Sequence, residues 1–519
     1  MKLLKSTATV GGATVLSRVL GFVRDVVLAR LFGASGATDA FFLAFRIPNL
    51  MRRMFAEGSF SLAFVPVLSE YRANEDRAAL RDLIDHVAGT LLAVLLVITA
   101  LGMLAAPAVL AVFAPGWLAE GRPEFALSAE MLRITFPYIL LISLTALAGG
   151  ILNTFERFLL PALTPVLLNL SLIACALLLS GRLEVPVKSL AWGVLIAGFL
   201  QLAVQLPALA RLGLLPRPRW GWRHPGMRRI LKLMVPTLLG SSAAQVNILI
   251  DSMIATFLVS GSVSWLYYSD RLLEFPLGVF GIALATVILP NLSRKHAENS
   301  AAAFSGTLDW ALRLSVLITL PAATGLVLLA APILTTLFQY DAFQAYDVQM
   351  AGLSLVAYAL GLPAFIAIKV LAPGYFARQD PKTPVRIGLV AMGSNVVLNG
   401  LFVGSMVATG FEGPHAGLAL ASSASAYLNA GLLYRGLRRR DAYRPEDGWP
   451  KLWAAVGFSC LAMGAVLWLW VPGTGIWLRM PAMTRVTDLL LYLFFGVAVY
   501  GLCAWSVGLR PQQFARGGS

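Results

Sequence analysis

Cysteine is nearly absent from this chain of 519 residues. Its three copies, Cys175, Cys460 and Cys503, each stand alone in apolar surroundings, with no second cysteine at a CxxC spacing. That excludes a disulfide framework and a thiolate metal cluster, and leaves packing as their role. The four histidines, His86, His224, His296 and His415, fall near loops or helix ends and form no metal-ligand spacing. No zinc, haem or phosphate-loop signature is present. Charge is scarce as well: Asp, Glu, Lys and Arg make up 13% of the residues, with 26 acidic against 41 basic.

What fills the chain is apolar, 58% of its residues, with a mean hydropathy of +0.76. That much apolar surface cannot be hidden in one soluble core, so lipid must solvate it. Apolar stretches of about 20 residues, enough to cross a ~30 Å hydrocarbon layer, recur throughout, and helices satisfy their own backbone there. The expected fold class is an all-α polytopic membrane bundle. The opening residues, MKLLKSTATVGG, put two lysines before an apolar stretch, as a signal peptide does. Ser17, Arg18, Arg24 and Asp25 interrupt that stretch, so a first functional helix is expected instead.

Apolar runs between charged or Pro/Gly-rich breaks predict about fourteen helices, near 9–32, 37–64, 84–113, 130–152, 160–180, 187–209, 230–258 and 265–291. Six more lie near 307–337, 350–376, 384–408, 415–434, 452–471 and 486–508. Basic residues gather in alternate connections: Arg72, Arg77 and Arg81; Arg217, Arg219, Arg223, Arg228 and Arg229; Arg294 and Lys295; Arg438, Arg439, Arg440 and Arg444. The other side holds Arg122, Arg133, Arg182, Lys188, Arg479 and Arg485. The positive-inside rule then places both termini in the cytoplasm. The net charge of +15 is spread over successive loops, which fits orientation and lipid-headgroup contact and not a nucleic-acid surface.

The chain also resembles itself at an offset of about 225. Residues 32–46, FGASGATDAFFLAFR, align with LVSGSVSWLYYSDR at 258–271, pairing Ser35 with Ser260, Gly36 with Gly261 and Arg46 with Arg271. VPVLSE at 65–70 faces LPNLSR at 289–294, and residues 151–165 face 370–384. The expectation is an N-terminal six-helix half over 1–225, a C-terminal six-helix half over 226–440 and two further transmembrane helices in 441–519. An offset spanning six helices, an even number, gives both halves the same orientation, a transporter device, with a central cavity exposed alternately by rocking.

Basic residues remain at membrane depth: Arg18, Arg24, Arg30, Arg46, Arg52, Arg53, Arg271, Arg313 and Lys369. Facing lipid they would be costly, so the bundle interior or a wet cavity is the default. Ser17, Gly21 and Arg24 share one face of the first helix, with Arg18 and Asp25 on the adjoining face. Asp39, Arg46 and Arg53 share a face of the second, with Arg52 turned aside, and Arg271 and Glu274 occupy one stripe of the eighth. Two readings stand. The arginines can form intramembrane salt bridges, Arg18 or Arg24 with Asp25 or Asp39 and Arg271 with Glu274 or Asp270. Alternatively the surplus guanidinium forks hold an anionic, phosphorylated substrate. Arg30 and Arg313 fit snorkelling to the interface better than substrate contact. Asp251 within NILIDSMIA, and Asn395 and Asn399 within GSNVVLN, are a candidate sodium site or, equally, hydrogen-bonded polar groups; sodium or proton coupling requires the first.

The runs SRVLGFVRD (17–25), ATDAFFLAFRIPNLMRRMFAEGSFS (37–61), FPYILLISL (136–144), SGSVSWLYYSDRLLEFPLGV (260–279) and KVLAPGYFARQDPKTPV (369–385) closely resemble the MurJ, or MviN, family over nearly the whole chain. The resemblance implies the fold of the multidrug/oligosaccharidyl-lipid/polysaccharide exporter superfamily. It implies a bacterial inner-membrane protein with no cofactor that flips lipid II, the undecaprenyl-diphosphate-linked peptidoglycan precursor, from the cytoplasmic to the periplasmic leaflet. Matching family positions are Ser17, Arg18, Arg24, Asp25, Asp39, Arg52, Ser264, Arg271 and Glu274. On this reading Arg18, Arg24, Arg52 and Arg271 bind substrate, and Ser17, Asp25, Asp39, Ser264 and Glu274 support them. Asp251, Asn395 and Asn399 look like the counterparts of a sodium site found in some relatives, with Asn399 where a carboxylate can occur. Lipid II, membrane lipids and the cell-wall synthesis machinery are the implied partners of a monomer. The alternatives are a cation-coupled drug or other polyprenyl-diphosphate-oligosaccharide exporter, which expects a carboxylate-rich cavity, and a polyprenyl-phosphate glycosyltransferase, which needs larger outer loops.

Overall fold

The structure, a computed structural model, describes residues 2–53, 60–298 and 300–510. Among them all regular structure is helical. Two compact units divide the chain, Met1–Ser264 and Trp265–Ser519. The first holds α1 (Lys2–Phe32), α2 (Gly36–Met51), α3 (Ser61–Asn74), α4 (Arg77–Leu104), α5 (Ala106–Phe113), α6 (Pro115–Ala119), α7 (Pro123–Thr135), α8 (Tyr138–Thr154), α9 (Leu159–Leu178), α10 (Lys188–Ala203), α11 (Leu206–Arg211) and α12 (Pro225–Ala255). Then α13 (Ser262–Pro276) starts at the boundary. The second unit continues with α14 (Ile282–Ala297), α15 (Ala301–Leu328), α16 (Ala330–Phe338), α17 (Ala345–Phe376), α18 (Lys382–Ala408), α19 (Ala416–Arg439), α20 (Trp449–Trp470), α21 (Thr474–Trp477) and α22 (Ala482–Ser506).

Helices lie on every span expected from the sequence, several of them in two pieces. Among the described residues, eleven helical segments are long and apolar enough to cross a membrane. The other expected spans fall on α1, on α2 with α3, and on α12, so fourteen crossings are compatible with the structure. The described part of the second span comprises two helices, α2 and α3. Pro48 lies inside α2, a π turn takes in Arg52 and Arg53, and α3 begins at Ser61, residues 54–59 lying outside the described residues. A proline also precedes the π segment Leu277–Gly281, where Pro276 ends α13. Each π turn thus follows a proline by a few residues or less, at a place where the missing N–H already opens the α-helical ladder.

In the first unit α1 packs on α9, α2 on α7, and α8 on α3, α4 and α10, while α12 lies against α3 and α4. Phe64, Val67 and Leu68 of α3 meet Leu83, Ile84 and Val87 of α4, Ile151 and Leu152 of α8, and Ile230 of α12. In lipid such a cluster is held by close packing more than by exclusion of water, and Ala63, Ala88 and Ala148 within it let the helices approach.

In the second unit α17 runs against α19, α15 and α14, and α18 against α19. Their shared core includes Ile288, Leu308, Ile366, Val370, Leu433 and Leu437. The pair α20 and α22 pack on each other, with Met463 and Leu467 meeting Leu329. On α22 the exposed Leu490, Phe494 and Val497 recur at helical spacing and give it a lipid-facing side.

One carboxylate ties α20 to the rest of this unit. Asp309 on α15, 1% exposed, accepts from Tyr443 Oη at 2.7 Å, Trp449 Nε1 at 2.8 Å and Arg313 Nε at 2.5 Å. Arg313 also donates to the carbonyls of Glu446 and Asp447 at 2.9 and 2.8 Å. Arg313 therefore caps a connection. Asp309→Ala takes the acceptor from the Tyr443 and Trp449 donors and the counter-charge from the half-buried Arg313, a loss of about 1–3 kcal/mol for each buried donor left unsatisfied. The expected result is a clear fall in the thermal unfolding midpoint of detergent-purified protein, and an unchanged midpoint would show that the junction is not held this way.

Two other basic residues are placed differently from the sequence reading or more firmly. Arg485, assigned to the outer connections, is buried and donates to the carbonyls of Thr335, Gln339 and Leu478 at 3.3, 3.2 and 2.8 Å. A cation at the carbonyl-rich C-terminal end of α16 is favourable. Arg440 pairs with Asp380 at 2.5 Å across the turn between α17 and α18. There the Thr383 hydroxyl, and after it Arg440, pull the Asp380 carboxyl down to about 2, so the turn keeps its charge at any physiological pH.

Candidate functional site

The face of α1 that carries Ser17, Gly21 and Arg24 is the one laid against α9. Arg24 Nη1 donates to Asn169 Oδ1 at 3.0 Å, and Asn169 Nδ2 donates to the Ser17 carbonyl at 3.0 Å. Gly21 lies directly beside the bridge, where a Cβ would make an ordinary contact 3.4 Å from Asn169 Nδ2. On its other side Arg24 reaches Asp25 Oδ1 with Nε at 3.0 Å and Nη2 at 2.7 Å. Arg24 is 6% and Asp25 1% exposed. The salt bridge between neighbours was one of the two sequence readings, whereas Asn169 was missed. Its signal was an asparagine at mid-depth in LTPVLLNLSLIAC.

A second cluster gathers on Asp39, 2% exposed. Its Oδ1 accepts from Ser264 N at 2.7 Å and Ser264 Oγ at 2.5 Å, and its Oδ2 accepts from Gly261 N at 2.7 Å. Gly261 has φ of 101°, a left-handed backbone that glycine adopts without strain and that turns both N–H groups to one carboxylate. A carboxylate on the first amides of a helix is favoured by the local dipoles, and here those amides open α13. The expected pairing of Asp39 with Arg18 or Arg24 is therefore not what the structure shows. Ser35 caps α2, its Oγ accepting from Thr38 N at 3.3 Å, and so sets Asp39 in the first turn. The same segment is held twice more. Ser260 donates to Glu124 Oε1 at 2.6 Å, and Arg122 donates to the Leu258 carbonyl at 2.6 Å. Neither Glu124 nor Arg122 stood out in the sequence, because both read as ordinary loop charges.

The other candidates in this unit stand apart from those clusters. Arg18 is exposed. Arg52 donates from Nε and Nη2 to Asn49 Oδ1 at 3.1 and 2.9 Å. Arg46 donates to Ser252 Oγ of α12, and Arg53 and Arg30 are exposed. Because Arg52 and Arg53 lie on a π turn, the spacing that put Arg46 and Arg53 on one face of an unbroken α-helix does not carry across it. Asp251 is half-buried on α12.

In the second unit Arg271 Nη1 donates to Glu274 Oε2 at 2.6 Å, and its guanidinium lies 5.6 Å from the Tyr267 ring centre. This is the stripe expected on the eighth span. Lys369 is half-buried beside Gly281, where a Cβ would come 2.8 Å from Lys369 Cδ. Asn399 Nδ2 donates to Asn395 Oδ1 at 3.1 Å, and Asn395 Nδ2 to Ser422 Oγ at 3.3 Å, with both asparagines buried. These amides are engaged with each other and with α19.

Chemically, these groups can hold and release anions. Guanidinium forks paired to carboxylates exchange one oxyanion for another with no bond broken.

The family described as "Lipid II flippase MurJ" matches residues 28–482. A protein of Vibrio cholerae, "Probable lipid II flippase MurJ", is 48% identical over 99% of this chain and 97% of its own length. "Lipid II flippase MurJ" of Burkholderia cenocepacia is 41% identical over 99% of both. Of solved structures, "Lipid II flippase MurJ, inward closed conformation" superposes with a TM-score of 0.78 at 26% identity over 95% of this chain and 97% of that one. A multidrug resistance MATE family transporter in an inward-facing conformation gives 0.66 at 14% identity over 82% and 94%, a likeness of fold alone.

Proposed function

We propose, for a chain that belongs to the lipid II flippase MurJ family, that Arg24 is the central ligand for the diphosphate of lipid II and that Asp25 holds its charge between substrates. The chain is a multi-pass membrane transporter, and its task is to flip lipid II; it is not an enzyme. The observation that carries the assignment of Arg24 is its double attachment. Asp25 and Asn169 grip the guanidinium from two sides and fix it in place. A diphosphate oxygen takes the place of Asp25 Oδ1 as the acceptor of the same two N–H groups, and the freed carboxylate sits on the same helix, ready to take the arginine back.

In this reading the substrate crosses from the cytoplasmic to the periplasmic leaflet by alternating access. The arginine-rich end and both termini face the cytoplasm, and the chain works as a monomer beside the cell-wall synthesis machinery. Arg18 and Arg52 are further phosphate ligands. The Asp39 latch on Gly261 and Ser264 belongs to one of the two access states. Cation coupling, with sodium or a proton, rests on Asp251, Asn395 and Asn399 as oxygen donors. A charge count favours lipid II over the drug-exporter alternative, since the membrane-depth groups are mostly arginines.

Arg271 is assigned the same exchange in the second unit, with Glu274 in the place of Asp25. Arg271→Ala should insert at wild-type levels, because the pair is partly exposed and contributes no more than about 1 kcal/mol to stability. It should nonetheless fail to support growth of cells depleted of the wild-type chain. Normal growth at matched protein level would remove Arg271 from the mechanism.

A further inference from the structure

Two of the four histidines, far apart in sequence, meet at one carboxylate. Asp82 and His86 lie one turn apart on α4, and His224 is the N-cap of α12. His86 Nδ1 lies 3.3 Å from Asp82 Oδ1, and His224 Nε2 lies 3.4 Å from Asp82 Oδ2. The two imidazole rings stack with centres 5.0 Å apart and planes 20° from parallel. One ligand atom from each residue lies within 4.8 Å of the other two. We propose that Asp82, His86 and His224 bind a divalent transition-metal cation of the Zn²⁺ class, which clamps the chain segment before α12 onto α4.

Two histidines and one carboxylate are a donor set that such metals favour, with a fourth position open to water. Bonds of about 2.0–2.2 Å in a tetrahedral site place ligand atoms about 3.3–3.5 Å apart. With one Asp82 oxygen as ligand, one histidine distance already meets that, and the other separations, all within 4.8 Å, close as the carboxylate and the rings turn. The proton balance is simple. Gly226 N donates to His224 Nδ1 at 3.1 Å, so in the neutral ring Nε2 carries the proton. Metal binding at Nε2 moves that proton to Nδ1 and gives up the bond to Gly226. His86 Nδ1 is also 2.8 Å from the Asp82 carbonyl, a bond that coordination at that nitrogen replaces. Arg219 Nη1 lies 3.7 Å from Asp82 Oδ1 on an exposed side chain and is free to turn into water.

The backbone around the cluster is fixed in advance. Residues 214–224 run as a strap over α4: Arg217 N and Arg219 N donate to Oδ1 and the carbonyl of Asp85 at 2.7 and 3.0 Å, and Gly221 N donates to Thr90 Oγ1 at 3.1 Å. The approach needs glycine on both sides. A Cβ on Gly89 would fall 2.3 Å from Arg219 N, and one on Gly221 would fall 2.2 Å from His86 Cδ2. His224 is thus brought to α4 by the strap, without help from a metal, and a bound cation adds a covalent-strength link at its end.

The experiment uses the full chain, tag-free and stripped with chelator, titrated with Co²⁺ and separately with Zn²⁺. The expected result is one equivalent of Co²⁺ per chain with the visible absorption of a low-symmetry, nitrogen-ligated site, and a rise in thermal midpoint with Zn²⁺ that chelator reverses. His224→Asn keeps a side-chain acceptor at the helix N-cap and so preserves folding. It should weaken metal binding at least ~100-fold, more than the loss of an outer partner would, and should abolish the midpoint rise. His86→Gln should behave alike. No uptake by the wild-type chain, or equal uptake by both variants, would overturn the proposal, as would a response to pH alone with no metal bound.

Discussion

Arg24→Ala is expected to reach the membrane and to abolish growth of cells that depend on this chain. Two effects are combined in that outcome. Truncation removes the two hydrogen bonds and the charge that Arg24 gives the buried Asp25 carboxylate, which costs about 3–5 kcal/mol of stability, and it removes the guanidinium assigned to the diphosphate. The double variant Arg24→Ala with Asp25→Asn separates them. With the carboxylate neutralised, the thermal midpoint should recover most of the loss, because no unpaired charge remains inside. Growth should stay absent. If the double variant grows, Arg24 serves only to neutralise Asp25, and the substrate role falls. Arg24→Lys adds a further arm. Lysine keeps the charge beside Asp25 but cannot hold Asp25 and Asn169 with one planar fork, so it should insert well and complement poorly.

The second large effect is expected at Asp39. Asp39→Ala removes three hydrogen bonds from a buried carboxylate to Gly261 and Ser264. Charge-assisted bonds of this kind contribute about 1.5–3 kcal/mol each and are not additive. A net loss of ~3 kcal/mol from the latched state shifts its ratio to the unlatched one by roughly two orders of magnitude. Val263, 2% exposed between the two latch residues, reports the change. In a background where Cys175, Cys460 and Cys503 are replaced, Val263→Cys should react slowly with a maleimide while Asp39 is present. It should react many-fold faster in Asp39→Ala. Equal rates in the two backgrounds would mean that Asp39 does not hold the segment closed.

The sequence revealed what depends on neighbours along one helix. The apolar runs come from composition, the Arg24–Asp25 pair was one of the pairings that adjacency allowed, and the stripe of Arg271 with Glu274 is set by the 3.6-residue period. What it hid depends on which helices touch. Asn169 lies 145 residues from Arg24 and Gly261 lies 222 from Asp39. In lipid, apolar residues cover the outward face of a helix as well as the packed one, so hydropathy does not mark the side that meets a partner. Arg485 illustrates the same point: a basic residue near a helix end reads as a loop charge until the carbonyls of Thr335 and Gln339 are seen around it. The break after α2 escaped for another reason. Pro48 can sit inside a membrane helix, and composition alone does not say whether the chain continues as α-helix or passes through a π turn.

The most direct test tracks the lipid itself. In cells depleted of the native chain, the fraction of lipid II accessible from the periplasmic face is measured with an impermeant probe. It is measured again after expression of the wild-type chain and after expression of Arg24→Ala at the same level. Accessible lipid II should fall on depletion, return with the wild type and stay low with Arg24→Ala. Unchanged accessibility on depletion would contradict the assignment of this chain to lipid II translocation.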